Sequence, residues 1–190
     1  MILIVDLCYR EDSLGFEEFV LPIRRIVKGA GFSSKEIHYS SDVAAEITKS
    51  EAVVLCGTPL ADNQFLVDIR QFSWLPACPV PVLGICAGME VLTLVHGGRL
   101  DTCLEIGMTP VRVSGEDPLL GRTGEFPVYE LHGFGCHVPE GFRVLAESDR
   151  CVQVIRHKVR PQWGVMFHPE VRNEWVVERF LSLLSPAKGG

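Results

Sequence analysis

Val82-Leu83-Gly84-Ile85-Cys86-Ala87-Gly88-Met89-Glu90 is the stretch that decides the fold. Its apolar run ends at a cysteine, and a glycine lies two residues away on each side of that cysteine. From Met89 onward the apolar residues recur at helical spacing, so the chain passes from a buried strand into a helix through one tight turn. A side chain at position 84 or 88 would collide with neighbouring backbone in such a turn. The stretch therefore predicts a nucleophile elbow, with Gly84 and Gly88 around a cysteine at the carboxyl end of a strand.

Two interpretations of Cys86 follow from this position. The helix N-terminus behind the cysteine favours the thiolate, which is the nucleophilic form. A cysteine after an apolar strand is nevertheless more often a small buried hydrophobe. Because a thiol nucleophile needs a base, the choice depends on whether a histidine occupies a comparable place elsewhere in the chain.

A second apolar strand, Gln162 to Phe167, ends in His168-Pro169-Glu170. A histidine at this place can take the proton of a thiol and later protonate a leaving group. A carboxylate two residues further on can fix the tautomer and orientation of the imidazole. Alone, this tripeptide is a weak match and is commoner in a structural turn. Paired with the elbow, it predicts a triad of Cys86, His168 and Glu170.

The first half of the chain alternates apolar strands with helices. Strands are expected near residues 2–7, 36–39, 52–56 and 81–85, and helices near 16–28, 42–49, 63–72 and 89–96. Most of these strands are apolar on both faces, which predicts an α/β fold with a doubly wound, mostly parallel sheet covered on two sides. Later segments are short and alternating, and they predict a small antiparallel β insertion at one edge, with strands near 108–114, 125–132, 142–147 and 151–157. Since ligands bind beyond the carboxyl ends of parallel strands, Cys86 and the turn at Gly57 are expected to meet.

The composition is typical of one globular domain over residues 1–190. Hydrophobic residues make up 47% of the 190 positions and charged residues 22%, enough for a sizeable core. The last helix is expected over 173–184 with Asn173 as its cap, followed by a flexible tail over 185–190. A net charge of −6 without a dense basic run predicts no binding to nucleic acid or to a membrane surface. The short apolar start has no basic leader, so a cytoplasmic location is expected.

The seven cysteines include no C-x-x-C pair, so neither a disulfide framework nor a zinc ribbon is indicated. All except Cys86 are expected to be reduced and buried. His132, Cys136 and His137 offer metal ligands close together in sequence, but their spacing fits no strong pattern. The sequence therefore predicts no metal site.

On these motifs the chain resembles the class I, or triad, glutamine amidotransferases. The resemblance rests on residues 84–90 and 164–171 and on a third block, Leu131-His132-Gly133 followed by residues 139–148. Within that family, blocks 139–148 and 164–171 are most similar to the glutaminase part of GMP synthetases. The resemblance implies a flavodoxin-like fold and no cofactor.

The resemblance also implies a reaction. Cys86 would attack the side-chain amide of glutamine, with His168 as base and then acid and Glu170 orienting it. A γ-glutamyl thioester would form, ammonia would leave for a synthase on a separate subunit, and water would release glutamate. Backbone amides of Ala87 and of the Gly57-Thr58 turn would hold the developing oxyanion.

Three expected substrate positions depart from the family pattern. Glu90 stands where the family has glutamine, and Thr58 stands where it has a second glycine, so any positive φ at Thr58 would be costly. Leu131-His132-Gly133-Phe134 replaces a Ser-His-Gly-Asp-like segment, although His132 and Gly133 are kept. Glu90, His132 and Gly133 are expected to bind the substrate. The departures leave two alternatives open: a hydrolase of another γ-glutamyl amide or peptide, and a non-catalytic regulatory or binding member of the fold.

Overall fold

The computed structural model describes residues 1–184, so the tail predicted over 185–190 lies outside the described residues. Its strands are β1 (Ile2–Asp6), β2 (Ser34–His38), β3 (Ala52–Leu55), β4 (Val82–Ile85), β5 (Arg99–Val113), β6 (Gly124–His137), β7 (Phe142–Glu147), β8 (Val152–His157) and β9 (Gln162–Val165). Its α-helices are α1 (Leu21–Gly29), α2 (Val43–Ile47), α3 (Gln64–Val67), α4 (Ala87–Val95) and α5 (Trp175–Ser182). A π-helical turn, Phe16–Val20, and two 3-10 turns, Ile69–Phe72 and Leu75–Ala77, complete the helical segments described.

All these strands form one sheet in the order β2-β1-β3-β4-β9-β8-β7-β5-β6. Four neighbouring pairs, from β2 to β9, are parallel. The other four pairs, from β9 to β6, are antiparallel. We call β2-β1-β3-β4-β9 the parallel half and β8-β7-β5-β6 the antiparallel half. The α/β class predicted from the sequence is confirmed, but the sheet is evenly mixed.

The antiparallel half is larger than the sequence indicated because β5 and β6 are 15 and 14 residues long. The first residues of β5 and the last residues of β6 do not alternate cleanly between apolar and polar. β5 also contains an irregularity between Thr102 and Glu105, where its register against β6 shifts, and Gly107 has φ +100°. A bulge interrupts the two-residue period by which a strand is recognised in a sequence.

Both faces of the parallel half are covered by helices, as the apolar strands predicted. One core cluster joins the sheet to α1 and α5 through residues such as Ile23, Val27 and Phe180. The other joins it to α2, α3 and α4 through residues such as Val43, Phe65 and Val91. Among residues 1–184, no helix has the length and apolar character needed to cross a membrane.

The helix ends differ in part from the sequence prediction. α1 begins at Leu21 with Pro22 in its first turn, where the missing N–H of proline has no cost. Asp42 caps α2 by accepting a hydrogen bond from the Ala45 amide at 3.1 Å. The prediction that Asn173 caps the last helix is wrong. α5 begins at Trp175, and the Asn173 side-chain amide instead donates to the Pro127 carbonyl at 3.3 Å.

The sheet curls, so that β6 returns to the end of the parallel half although it is the farthest strand from β2. The His168 amide, just after β9, donates to the carbonyl of Tyr129 in β6 at 2.9 Å. The Cys86 sulfur, just after β4, lies 3.7 Å from the carbonyl oxygen of Leu131 in β6. A wall from the antiparallel half therefore covers the carboxyl ends of β4 and β9.

Candidate active site

Cys86 lies between β4 and α4 in a strained backbone conformation. Its φ is +48° and its ψ is −105°. A non-glycine residue with positive φ costs on the order of 1–3 kcal/mol and is typical of functional sites. A Cβ at Gly84 would lie 2.5 Å from the Gly88 carbonyl oxygen, and a Cβ at Gly88 would lie 2.5 Å from the Leu55 carbonyl oxygen. Because both contacts are with backbone, the sharp turn requires glycine at both places.

His168 and Glu170 follow β9, the strand beside β4. The imidazole Nδ1 lies 2.7 Å from the Glu170 Oε1, which orients the ring and leaves Nε2 to accept a proton. The Phe19 ring packs against the imidazole with a centroid separation of 5.2 Å. His168 is fully buried, and Glu170 and Cys86 are nearly so.

Gly57, after β3, touches both reactive side chains. A Cβ built there would lie 2.6 Å from Cε1 of His168 and 3.5 Å from Cβ of Cys86. The missing side chain is therefore what lets the imidazole reach the elbow. The structure thus brings together the ends of three adjacent strands, β3, β4 and β9, as expected for ligand sites in parallel sheets.

The protonation of the cysteine–histidine pair follows from burial and charge. Burial raises the pKa of the Cys86 thiol, against the lowering effect of His168. Burial alone would lower the pKa of His168, but Cys86 and Glu170, through charge and hydrogen bonding, raise it well above its usual range. Burial therefore opposes the thiolate, whereas the neighbouring sulfur and carboxylate favour the protonated imidazole, so each partner changes the pKa of the other.

The three backbone amides predicted to hold the oxyanion belong to the turn after β3 and to the start of α4. The amides of Gly57, Thr58 and Ala87 donate to no backbone carbonyl among residues 1–184. Ala87 is the first residue of α4, so its amide also lies at the positive end of that helix. Thr58 does not have positive φ, so the expected conformational cost does not arise. Its hydroxyl donates to the Asp62 carbonyl at 3.0 Å and holds the turn.

The residues expected to bind substrate line one pocket beside Cys86. It is lined by Thr58, Leu60, Glu90, Leu131, His132, Gly133 and Phe134, among others. Its volume is about 10 Å³, which is room for about one water molecule. The side chains around this pocket therefore leave no room for an amino acid.

Glu90 is a buried carboxyl within this pocket. It is only 3% exposed, and burial raises its pKa from the ordinary 4.5 to about 7, against the opposing effects of His132 and His168. Near neutral pH, Glu90 is therefore about half protonated. In its protonated form the Glu90 carboxyl can donate a hydrogen bond, as the side-chain amide of a glutamine at this position would.

Two buried acids that the sequence analysis missed flank His132. Its Nε2 lies 3.3 Å from a Glu130 oxygen and 3.4 Å from a Glu105 oxygen. Burial opposes the charged imidazole, but the adjacent carboxylates of Glu130 and Glu105 raise the pKa of His132. The available signal was the two-residue spacing of Glu130 and His132, which puts two ionisable groups on the buried face of one strand.

The three possible metal ligands His132, Cys136 and His137 do not come together. Neighbouring side chains of a strand point to opposite faces, and residues four apart are separated by about 13 Å. Accordingly Cys136 is buried, whereas His137 is exposed and pairs with Asp101. Of the three, His132 alone joins a cluster of potential ligands within the described residues, and its neighbours there are Glu105 and Glu130.

Comparison with known protein sequences places the chain in one family. Residues 17–180 match the family Glutamine amidotransferase class-I. The chain is 33% identical to a glutamine-hydrolyzing GMP synthase subunit of Methanocaldococcus jannaschii, over 81% of this chain and 84% of that protein. It is also 33% identical to the glutamine-hydrolyzing GMP synthase of Bacillus subtilis, over 91% of this chain but 33% of that longer protein.

A solved structure has the same fold. It is that of a proposed GMP synthase subunit from Thermoplasma acidophilum, with a TM-score of 0.84. The match covers 97% of this chain and 94% of that one, at 24% sequence identity.

Proposed function

The chain belongs to the class I glutamine amidotransferase family, and from that premise we propose that it is the glutaminase subunit of a GMP synthase. The observation that carries the proposal is the meeting of Cys86, at the strained elbow, with the His168–Glu170 pair at the end of the adjacent strand. Sequence similarity to separate GMP synthase subunits over most of their length supports the choice of synthase. We also infer that the parallel half is the flavodoxin-like unit of the fold.

Each residue of the site has a defined step in this reaction. His168 takes the thiol proton through Nε2, and the Cys86 sulfur attacks the side-chain carbonyl carbon of glutamine. The amides of Ala87 and of the Gly57-Thr58 turn stabilise the oxyanion. The imidazolium then protonates the leaving nitrogen, and ammonia departs from a γ-glutamyl thioester. Water, activated by His168, hydrolyses the thioester to glutamate and restores the thiol.

The closed pocket supports the need for a synthase partner. A volume of about 10 Å³ leaves no room for glutamine, and burial raises the pKa of the Cys86 thiol. Docking of the synthase would supply the free energy that opens the β6 wall. The longer Bacillus subtilis relative, of which this chain spans a third, supports a synthase outside this chain as the receiver of ammonia.

The altered pocket residues favour one alternative, a hydrolase of another γ-glutamyl amide or peptide. Leu131 and Phe134 give the wall an apolar character beside Glu90, where a free amino acid presents charged groups. Such a hydrolase would use the same nucleophile and would need no partner. A non-catalytic role is disfavoured because a silent site has no need for a strained cysteine beside an oriented imidazole.

The test is covalent labelling with an electrophilic glutamine analogue, with and without competing glutamine and with and without the synthase partner. Peptide mass spectrometry locates the adduct, and Cys86→Ala is the matched control. We expect labelling at Cys86 that glutamine suppresses and that the synthase partner accelerates. Two results would replace the glutaminase assignment with the γ-glutamyl hydrolase. One is labelling at a residue other than Cys86. The other is no labelling with the partner present while a small alkylator still modifies Cys86.

A further inference from the structure

A separate cavity of about 790 Å³ opens in the antiparallel half. It is lined by residues of β5, β6, β7 and the start of β8, and it shares no lining residue with the pocket beside Cys86. Two of its cysteines, Cys103 and Cys151, are half-buried, so their thiols face the cavity without being sealed in the core. The glutaminase reaction uses neither of them.

Cys103 and Cys151 converge on the buried carboxylate of Glu105. The two sulfurs and a Glu105 oxygen all lie within 4.8 Å of one another. The Cys151 sulfur is 3.1 Å from Oε2 of Glu105. Two thiolates and a carboxylate are ligands of tetrahedral Zn²⁺, whose ligand bonds are about 2.0–2.3 Å long. Donor atoms this close together can reach a common ion with small side-chain rotations.

The backbone makes room for this convergence in two ways. The irregularity of β5 between Thr102 and Glu105 shifts the register against β6 and re-aims the side chains there. Gly135, on the neighbouring strand, leaves space between the two cysteines. A Cβ at Gly135 would lie 3.0 Å from Cβ of Cys103 and 3.2 Å from Cβ of Cys151.

Glu105 is also held in place by groups that do not belong to the trio. The Gln153 amide donates to its Oε2 at 2.9 Å, and the Ser148 hydroxyl donates to the same atom at 3.1 Å. The buried His132 Nε2 lies 3.4 Å from that oxygen on the side of the active site. Such outer partners are what orient a carboxylate ligand in metal sites.

We propose that Cys103, Cys151 and Glu105 bind a thiophilic divalent cation of the Zn²⁺ class. The fourth position is open to water from the cavity, which is also the path of entry. Binding converts both thiols to thiolates and releases their two protons to solvent. Because Glu105 bridges the ion and His132, the site is connected to the wall of the glutamine pocket by one side chain.

The test is titration of the full chain with Co²⁺ alone, after removal of metals by a chelator under reducing conditions. We expect stoichiometric binding with thiolate-to-cobalt charge-transfer absorption and tetrahedral visible bands, both abolished by added Zn²⁺. Cys103→Ser and Cys151→Ser should each weaken binding by at least about 100-fold, since loss of an outer partner alone costs about 10- to 100-fold. Cys136→Ser, a cysteine that lines the same cavity outside the trio, and Cys86→Ala should bind as the unaltered chain does.

Thermal unfolding shows whether the serine variants fold. If they do not, a second measurement on the unaltered chain tests the proposal instead. Zn²⁺ should protect Cys103 and Cys151 of the unaltered chain from N-ethylmaleimide, as read by peptide mass spectrometry. Any one of four results would overturn the proposal. They are absence of the charge-transfer band, Co²⁺ binding that survives in both folded serine variants, Co²⁺ binding lost in Cys86→Ala, and no protection of the two thiols by Zn²⁺.

Discussion

The parallel and antiparallel halves of the sheet contribute to the candidate active site in different ways. In the proposed reaction the parallel half supplies the reacting groups, which are fixed by backbone: a cysteine with positive φ, two glycines under steric demand and a histidine shortly after the end of β9. The antiparallel half supplies the wall of the pocket through side chains of β6. Its departures from the family pattern, Leu131 and Phe134, lie on this wall.

The difference indicates which part of the site can change. A residue whose place depends on a close backbone approach has few substitutes, because any added atom meets a carbonyl or a ring. A residue on a wall can vary in size and polarity while the strand that carries it stays paired. Under the proposed function, reaction chemistry therefore depends on the parallel half, and substrate selection depends on β6 and on Glu90, which lines the same pocket.

The largest effect is expected from removing the nucleophile of the parallel half. Cys86→Ala should lower the rate of glutamate release from glutamine, assayed with the synthase partner, by on the order of 10⁴–10⁶-fold. Its thermal unfolding should stay close to that of the unaltered chain, since one sulfur is lost from a tight turn. Cys78→Ser, a buried thiol of the opposite core cluster, is the control and should keep its rate. Full activity in Cys86→Ala would break the assignment of chemistry to the parallel half.

A smaller loss is expected from crowding the imidazole. Gly57→Ala places a Cβ 2.6 Å from Cε1 of His168, so the ring must shift. A misplacement of about 1 Å costs about 100-fold in rate. Gly29→Ala is the matched control, because nothing lies within 4 Å of its new Cβ. Equal rates for the two variants would mean that the ring position does not limit the reaction.

The burial of Glu90, which lines the pocket beside the β6 residues, can be tested by the pH dependence of stability. The folded chain keeps the Glu90 proton up to about pH 7, whereas the unfolded chain loses it near 4.5, so the stability of the protein falls as pH rises between these values. Glu90→Gln removes this pH-dependent loss of stability, because glutamine does not ionise. Its free energy of unfolding should exceed that of the unaltered chain by up to about 3 kcal/mol above neutral pH, at about 1.4 kcal/mol per pKa unit.

The measurement is thermal unfolding of both chains from about pH 5 to about pH 8. Glu178→Gln, an exposed glutamate on α5, is the control and should show no such trend. A stability difference that does not grow with pH would contradict the burial of a half-protonated carboxyl at position 90.

The smallest effect on the reaction is expected from the β6 residues that line the pocket. The double variant Leu131→Ser and Phe134→Asp restores the polar groups of the family segment, and one added hydrogen bond is worth about 0.5–1.5 kcal/mol, or up to about tenfold in KM for glutamine. Ile106→Ser is the control, because Ile106 pairs with Leu131 across the two strands and is exposed. An unchanged KM in the double variant would favour a γ-glutamyl substrate other than free glutamine.

The sequence by itself determined the α/β class, the strand-to-helix turn at Cys86 and the placement of His168 at a strand end. These features depend on local chemistry: runs of apolar residues, glycines at a crowded turn and a histidine next to a strand terminus. The side chains at positions 86 and 168 meet because β4 and β9 pair as neighbouring parallel strands, and such strands end at the same edge of a sheet.

Only the tertiary structure decided what surrounds those residues. Three features depend on pairings between segments far apart in the chain. They are the curl that brings Leu131 over Cys86, the burial of Glu105 and Glu130 around His132, and the approach of Cys103 to Cys151. The bulge in β5 and the length of β6 set those pairings, and neither follows from a two-residue period. Long-range register, unlike a local turn, is fixed by the packing of the whole sheet.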